Sequence, residues 1–268
     1  MNLATAFEFA TQTAREAGAL LREYNQRGVT AEYKGEIDLV TEADRASERL
    51  ILNRLRAAYP DHAILAEESG AHHQASRFKW IADPLDGTTN FAHGFPAFSV
   101  TLALLVDDAI ELGVTYDPLR DELFAARRGQ GAWLNGRPIR VSQTPRLDRA
   151  LLCTGFPYDR RTNPRNNTPQ FVDLLMQSQA VLRVGSAALD LAYVACGRLD
   201  GYWEFRLSPW DYAAGVLLVN EAGGLTSEPD DTSIRHWSGR VVASNGLFHA
   251  EMIAALAQSA ATWPLARD

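Results

Sequence analysis

Apolar residues recur at three- and four-residue steps through residues 2–26: Leu3, Ala10, Ala14, Ala17, Leu21 and Tyr24. That spacing predicts an amphipathic helix with Gly28 as its stop. A second helix is predicted over residues 42–58, ending before Pro60. The period then shortens to short strand-like runs at residues 63–66, 80–82, 99–106, 110–116 and 122–126. Asp107-Asp108 reads as a hairpin turn, and Gly129, Gly131 and Asn135-Gly136 supply further turns.

Residues 158–169 are rich in Arg, Asn, Thr and Pro and read as a long surface loop. Its Arg160, Arg161 and Arg165 form either an anion patch or, more simply, a solvated basic stretch. The pattern then alternates: helix 169–178, strand 180–184, helix 186–196, helix 211–222 stopped by Gly223-Gly224, strand 241–243 and a last helix 248–259. Strands and helices in both halves predict an α+β fold with two closely packed lobes, residues 1–150 and 151–268. The boundary falls near residues 145–155, and the two lobes form one catalytic unit.

Composition narrows the class. With 46% hydrophobic and 22% charged residues, the chain can build a sizeable core and is not a disordered or disulfide-stapled type. The net charge of −7 opposes general nucleic-acid binding. Cys153 and Cys196 form no CxxC pair and read as buried reduced thiols, which suits the cytoplasm. Glu8, Arg15 and Glu16 interrupt any signal-peptide core, and the longest apolar runs fall short of the roughly 20 residues that span a bilayer.

Four acidic sites have flanks unlike surface sequence. Glu67-Glu68 follows the apolar run Ala63-Ile64-Leu65-Ala66. Asp83 and Asp86 lie in Asp83-Pro84-Leu85-Asp86-Gly87-Thr88-Thr89-Asn90-Phe91, and Asp211 lies in Pro209-Trp210-Asp211-Tyr212. Taken singly, each has a plain structural explanation: an acidic turn, Asp-Pro and Asp-Gly turn formers, a helix N-cap. Taken together, carboxylates at the ends of apolar segments are costly to leave unpaired, and oxygen donors of this kind suit hard cations such as Mg²⁺. Gly87-Thr88-Thr89 predicts the start of a short helix whose free N–H groups face an anion.

These strings resemble the inositol monophosphatase family, within the lithium-sensitive, metal-dependent sugar phosphatases, over nearly the whole chain. The resemblance rests on Asp38-Leu39-Val40-Thr41-Glu42-Ala43-Asp44, Glu67-Glu68-Ser69, the Asp83 string, Gly155-Phe156-Pro157, Gly185-Ser186-Ala187-Ala188 and Trp210-Asp211-Tyr212-Ala213-Ala214-Gly215. It implies a layered αβαβα fold, a homodimer and hydrolysis of inositol monophosphate. It implies that Glu67, Asp83 and the Leu85 carbonyl hold a first Mg²⁺, that Asp83, Asp86 and Asp211 hold a second, and that Glu67 with waters holds a third. It makes Thr88, supported by Asp44, the orienter of the attacking water. Glu67, Thr88 and Asp44 are then the catalytic set, and Asp86, Gly87, Thr88, Gly185, Ser186, Ala187 and Glu204 line the substrate. Mn²⁺ is an alternative activator; Li⁺ and Ca²⁺ are the implied inhibitors.

Charge supports the assignment. Four carboxylates carry about −4, a phosphate monoester adds about −2, and three divalent ions would balance the sum. Two other readings stand beside it. Haloacid dehalogenase-type phosphatases use Asp-x-Asp-Gly-Thr, one residue shorter than the spacing in this chain. A non-catalytic metal-dependent binding protein is the second. Within the family, fructose 1,6-bisphosphate, histidinol phosphate and 3′-phosphoadenosine 5′-phosphate are alternative substrates. Arg206, where many relatives carry Gly, either favours a second anionic group or pairs with a surface acid.

Overall fold

Asn2 caps the first helix, its side-chain oxygen accepting the Ala4 N–H at 2.9 Å. A computed structural model describes residues 2–28, 31–33, 39–72, 76–234 and 237–262; Asp38 of the first motif lies outside them. The chain runs through α1 (Leu3–Arg27), β1 (Ala31–Tyr33), β2 (Leu39–Thr41), α2 (Glu42–Ala58), β3 (Ala63–Ala66), β4 (Gly70–His72) and β5 (Phe78–Asp86). It continues with α3 (Thr88–Ala92), β6 (Ser99–Val106), β7 (Ala109–Asp117), β8 (Glu122–Arg127), β9 (Gly131–Leu134) and β10 (Arg137–Pro138). The second half adds β11 (Leu151–Thr154), α4 (Thr168–Gln177), β12 (Ala180–Leu182), α5 (Ala187–Ala195) and β13 (Gly201–Phe205). It closes with α6 (Pro209–Glu221), β14 (Leu225–Ser227), β15 (Arg240–Ser244) and α7 (His249–Thr262).

Two sheets carry the site. An eight-stranded sheet runs β10-β9-β8-β7-β6-β5-β3-β4, and a five-stranded sheet runs β12-β11-β13-β15-β14. Alternate residues of the inner strands enter different cores. Trp80 and Ala82 pack with α1 and α2, whereas Ile81 packs with α5 and α6. Cys153 and Tyr202 face that same central layer, while Leu152, Trp203 and Val242 face α4 and α7. Both faces of both sheets are therefore covered, which is why the strands read as near-continuous apolar runs. The result is the αβαβα layering, with α5 and α6 between the sheets. The chain leaves the first sheet at Pro138 and enters the second at Leu151, yet α6 lies against β6 and β7 of the first.

The helices and longer strands follow the periodicity closely. Asp107 and Asp108 both take positive φ, 50° and 64°, as a tight hairpin turn requires. Three corrections follow. The strand expected at 80–82 extends to Phe78–Asp86, because the Asp83-Pro84-Leu85-Asp86 stretch continues as a bulged strand and not as a turn. Asp211 is not the N-cap of its helix: α6 begins at Pro209 after Ser208, and Asp211 accepts the Ser208 N–H at 2.7 Å from inside the first turn. Both cysteines are free thiols, as expected, but only Cys153 is fully buried.

Candidate active site

The bulge in β5 brings its two aspartates to one place. Asp83 pairs with Thr101 and Asp86 with Ser99, so three steps on β5 oppose two on β6. In a regular strand, residues three apart point to opposite faces. One extra residue removes that opposition, and Pro84, with no N–H to offer a ladder, fits the irregular stretch. β3 runs parallel to β5 with Ala66 opposite Ala82, so Glu67 emerges beside Asp83. Asp211 enters from the first turn of α6. These four acidic residues and Leu85 border one cleft of about 370 Å³, together with Gly87, Thr88, Gly185, Ala187 and Glu204.

The helix starts complete the walls. Gly87 precedes α3 with φ of +94°, and a side chain there would meet the Ala97 carbonyl 2.9 Å away. It turns the chain so that Thr88 and Thr89 border the cleft in the first turn, where backbone N–H groups have no intrahelical acceptor. The Thr88 hydroxyl lies 3.0 Å from Asp44 and 3.1 Å from the Leu85 carbonyl, both acceptors for its proton. The other Asp44 oxygen accepts the Thr41 N–H at 2.8 Å, so the carboxylate is fixed at both ends.

Asp86 accepts hydrogen bonds from the Ser186 hydroxyl and, at 2.9 Å, from the Ala188 N–H at the start of α5. Of the expected substrate-lining stretch, Gly185 and Ala187 border the cleft, while Ser186 is buried and spends its hydroxyl on Asp86. Glu204 receives the Tyr202 hydroxyl. Arg206 borders the cleft and pairs with Asp159 at 2.9 Å, so the surface-acid reading of this arginine is the observed one.

Burial dominates the electrostatics. It pushes the Asp83 and Asp211 carboxyls well above the usual carboxylate range; the charges of Glu67 and Asp86 push both further, joined by Asp211 at Asp83 and by Glu204 at Asp211. Burial raises Asp86 to about 6 against the opposing hydrogen bonds from Ser186 and the α5 backbone. Glu204 rises to about 7 for the same first reason, with the Tyr202 hydroxyl opposing.

The donor set is oxygen only, which by its chemistry fits hard cations such as Mg²⁺. Among the described residues no group of three or more His, Cys, Asp or Glu side chains is placed to hold a metal ion.

Two positioning residues on α2 carry no motif signal, and a third, Asn90, lies in the Asp83 string without an assigned role. Ser47 and Glu48 lie one turn after Asp44 on α2. Ser47 donates to the Pro84 carbonyl at 2.8 Å, and Glu48 accepts the Glu68 N–H at 2.8 Å. Asn90 donates to the Ala97 and Val184 carbonyls at 2.8 and 2.9 Å, joining α3 to the Gly185 wall. Buried polar residues at three- and four-residue spacing are the signal that would have marked the α2 pair.

The sequence model of the inositol monophosphatase family matches residues 2–261. The chain belongs to the inositol monophosphatase family. It is 50% identical over 258 residues to the inositol-1-monophosphatase of Synechocystis, covering 96% of this chain and 90% of that protein. It is 46% identical over 243 residues to the Pseudomonas aeruginosa protein named Nus factor SuhB, covering 88% and 90%. The solved inositol monophosphatase of Anabaena superposes with a TM-score of 0.88 at 48% identity, over 96% of this chain and 97% of that one. The chain is thus a phosphatase of this α+β family. Among the described residues no helix is long and apolar enough to cross a membrane.

Proposed function

We propose that the chain is a Mg²⁺-dependent phosphomonoesterase that releases phosphate from myo-inositol monophosphate by direct attack of water. The observation that carries this reading is the convergence of Glu67, Asp83, Asp86 and Asp211 on the cleft that Thr88 and Glu204 also border. Glu67, Asp83 and the Leu85 carbonyl would hold one Mg²⁺, and Asp83, Asp86 and Asp211 a second. Bound there, the ions would neutralise phosphate charge and lower the pKa of water.

The chain's own groups do the rest. The Thr88 hydroxyl commits its proton to Asp44 or the Leu85 carbonyl, which leaves its lone pairs to accept from a water and turn that water's oxygen toward phosphorus. The first N–H groups of α3 meet the negative charge spread over the equatorial oxygens. Glu204 accepts hydroxyls of the alcohol. The carboxylates repel a bare phosphate, so substrate and cations bind together; a third ion, shared by Glu67 and waters, would complete the charge balance. A non-catalytic reading is weaker, because a binding protein has no use for a Thr88 held in this way.

The family resemblance adds a cytoplasmic homodimer to the reading. The free thiols agree with the compartment, and exposed Val172, Leu175 and Met176 on one face of α4 supply apolar surface for a second copy. Comparing kcat/KM for inositol 1-phosphate, fructose 1,6-bisphosphate, histidinol phosphate and 3′-phosphoadenosine 5′-phosphate tests the substrate. The reading expects inositol 1-phosphate to lead, and a clear lead for any other member would replace it.

A further inference from the structure

Glu204 is held from two sides by residues the family motifs do not explain. Tyr202 and Glu204 are two apart on β13 and so share a face. Tyr202 is fully buried in the central layer, between Cys153 of β11 and Ala243 of β15 in the register. Its hydroxyl lies 2.5 Å from Glu204 Oε2. Burial and the Glu204 and Asp190 carboxylates keep the phenol protonated, so it stays a donor. On the other side stands Gly155, where an added Cβ would lie 2.2 Å from both Glu204 oxygens. Gly155 is itself pinned: buried Asn167 donates to its carbonyl at 2.7 Å and accepts the Trp203 indole N–H at 2.7 Å.

We propose that Tyr202 is a positioning residue for alcohol recognition: it holds Oε2 of Glu204 so that Oε1 meets the substrate's hydroxyls, and thereby sets the preference for polyol phosphates over phosphomonoesters without hydroxyls. The proposal rests on the phosphomonoesterase reading. A carboxylate with one oxygen anchored accepts in one direction, while a carboxylate free to rotate loses that entropy on binding. The contribution is to binding of the alcohol, so it acts on KM more than on kcat.

The test is steady-state kinetics of wild type, Tyr202→Phe, Glu204→Ala and the double variant, with myo-inositol 1-phosphate and with p-nitrophenyl phosphate. Tyr202→Phe should raise KM for inositol 1-phosphate about tenfold, the scale of one lost positioned hydrogen bond. Its kcat should change less than about twofold, and its p-nitrophenyl phosphate kinetics should change as little. In the Glu204→Ala background, which leaves Tyr202 no acceptor at this position, adding Tyr202→Phe should raise KM no further. Gly155→Ala, which displaces the same carboxylate, should reproduce the selective rise if Tyr202→Phe fails to fold. Equal losses on both substrates, or full additivity in the double variant, would overturn the proposal. So would a wild type that binds both substrates alike, while its p-nitrophenyl phosphate hydrolysis would leave the phosphatase reading standing. A wild type inactive on both would overturn both.

Discussion

The Glu48 carboxylate accepts the backbone N–H of Glu68 at 2.8 Å, tying the middle of α2 to the turn that carries Glu67. Asp44, Ser47 and Glu48 form one buried polar stripe at helical spacing, and each holds a different part of the acidic wall. Glu48→Ala leaves the Glu68 N–H without this acceptor. It should cost about 1–3 kcal/mol of stability and raise the Mg²⁺ concentration for half-maximal rate. Denaturant melts and Mg²⁺ titrations check this; an unchanged Mg²⁺ dependence would separate α2 from the cation site.

Asp211→Asn should split activity from stability. The substitution removes one charge from a repelling set but keeps an oxygen that can accept the Ser208 N–H. Turnover should fall by at least about a hundredfold, about 3 kcal/mol of barrier, while the chelated protein melts no lower than wild type. Near-normal turnover at saturating Mg²⁺ would remove Asp211 from the ligand set.

The raised carboxylates link cation binding to pH. Asp86 titrates at about 6 in the fold, above the roughly 3.9 of an unfolded Asp, and Asp83 and Asp211 are also raised. Between the two values the folded chain binds more protons than the unfolded one, so metal-free stability falls as pH rises from about 4 through 6. Mg²⁺ must displace those protons, so its stabilising effect grows with pH. Melting temperatures with EDTA or Mg²⁺ at pH 5 and pH 8 should show the larger Mg²⁺ gain at pH 8; equal gains would contradict the linkage.

Glu204 predicts a second pH effect, on recognition. With its carboxyl raised to about 7 by burial, it is ionised above that pH and protonated below. Protonation takes up one acceptor oxygen, so KM for inositol 1-phosphate should rise as pH falls from 8 to 6. Dividing by KM for p-nitrophenyl phosphate removes the titration of the phosphate itself. A ratio flat across this range would place Glu204 outside alcohol binding.

The helices were legible because α1 and α2 bury one face, and Asp83, Asp86 and Asp211 because their flanks are apolar. β13 was not legible: Tyr202 and Trp203 enter two different cores, which erases the alternation that marks a half-exposed strand. The bulge at Pro84-Leu85 has no local signal of its own, since Asp-Pro and Asp-Gly taken singly suit a turn as well. Gly155 stood in a motif without a reason until the Glu204 carboxylate appeared against it. Ser186 looked like a cleft residue from its neighbours, and only the fold shows its hydroxyl turned to Asp86. Pairings such as Arg206 with Asp159 depend on a loop returning from 47 residues earlier in the chain, which no local pattern encodes.

Phosphate release from myo-inositol 1-phosphate by the purified chain, measured with Mg²⁺, after chelation and after Mg²⁺ is restored, tests the central claim most directly. Release is expected to stop on chelation and to return with Mg²⁺. Release that persists in the chelator, or no release under any of the three conditions, would contradict that claim.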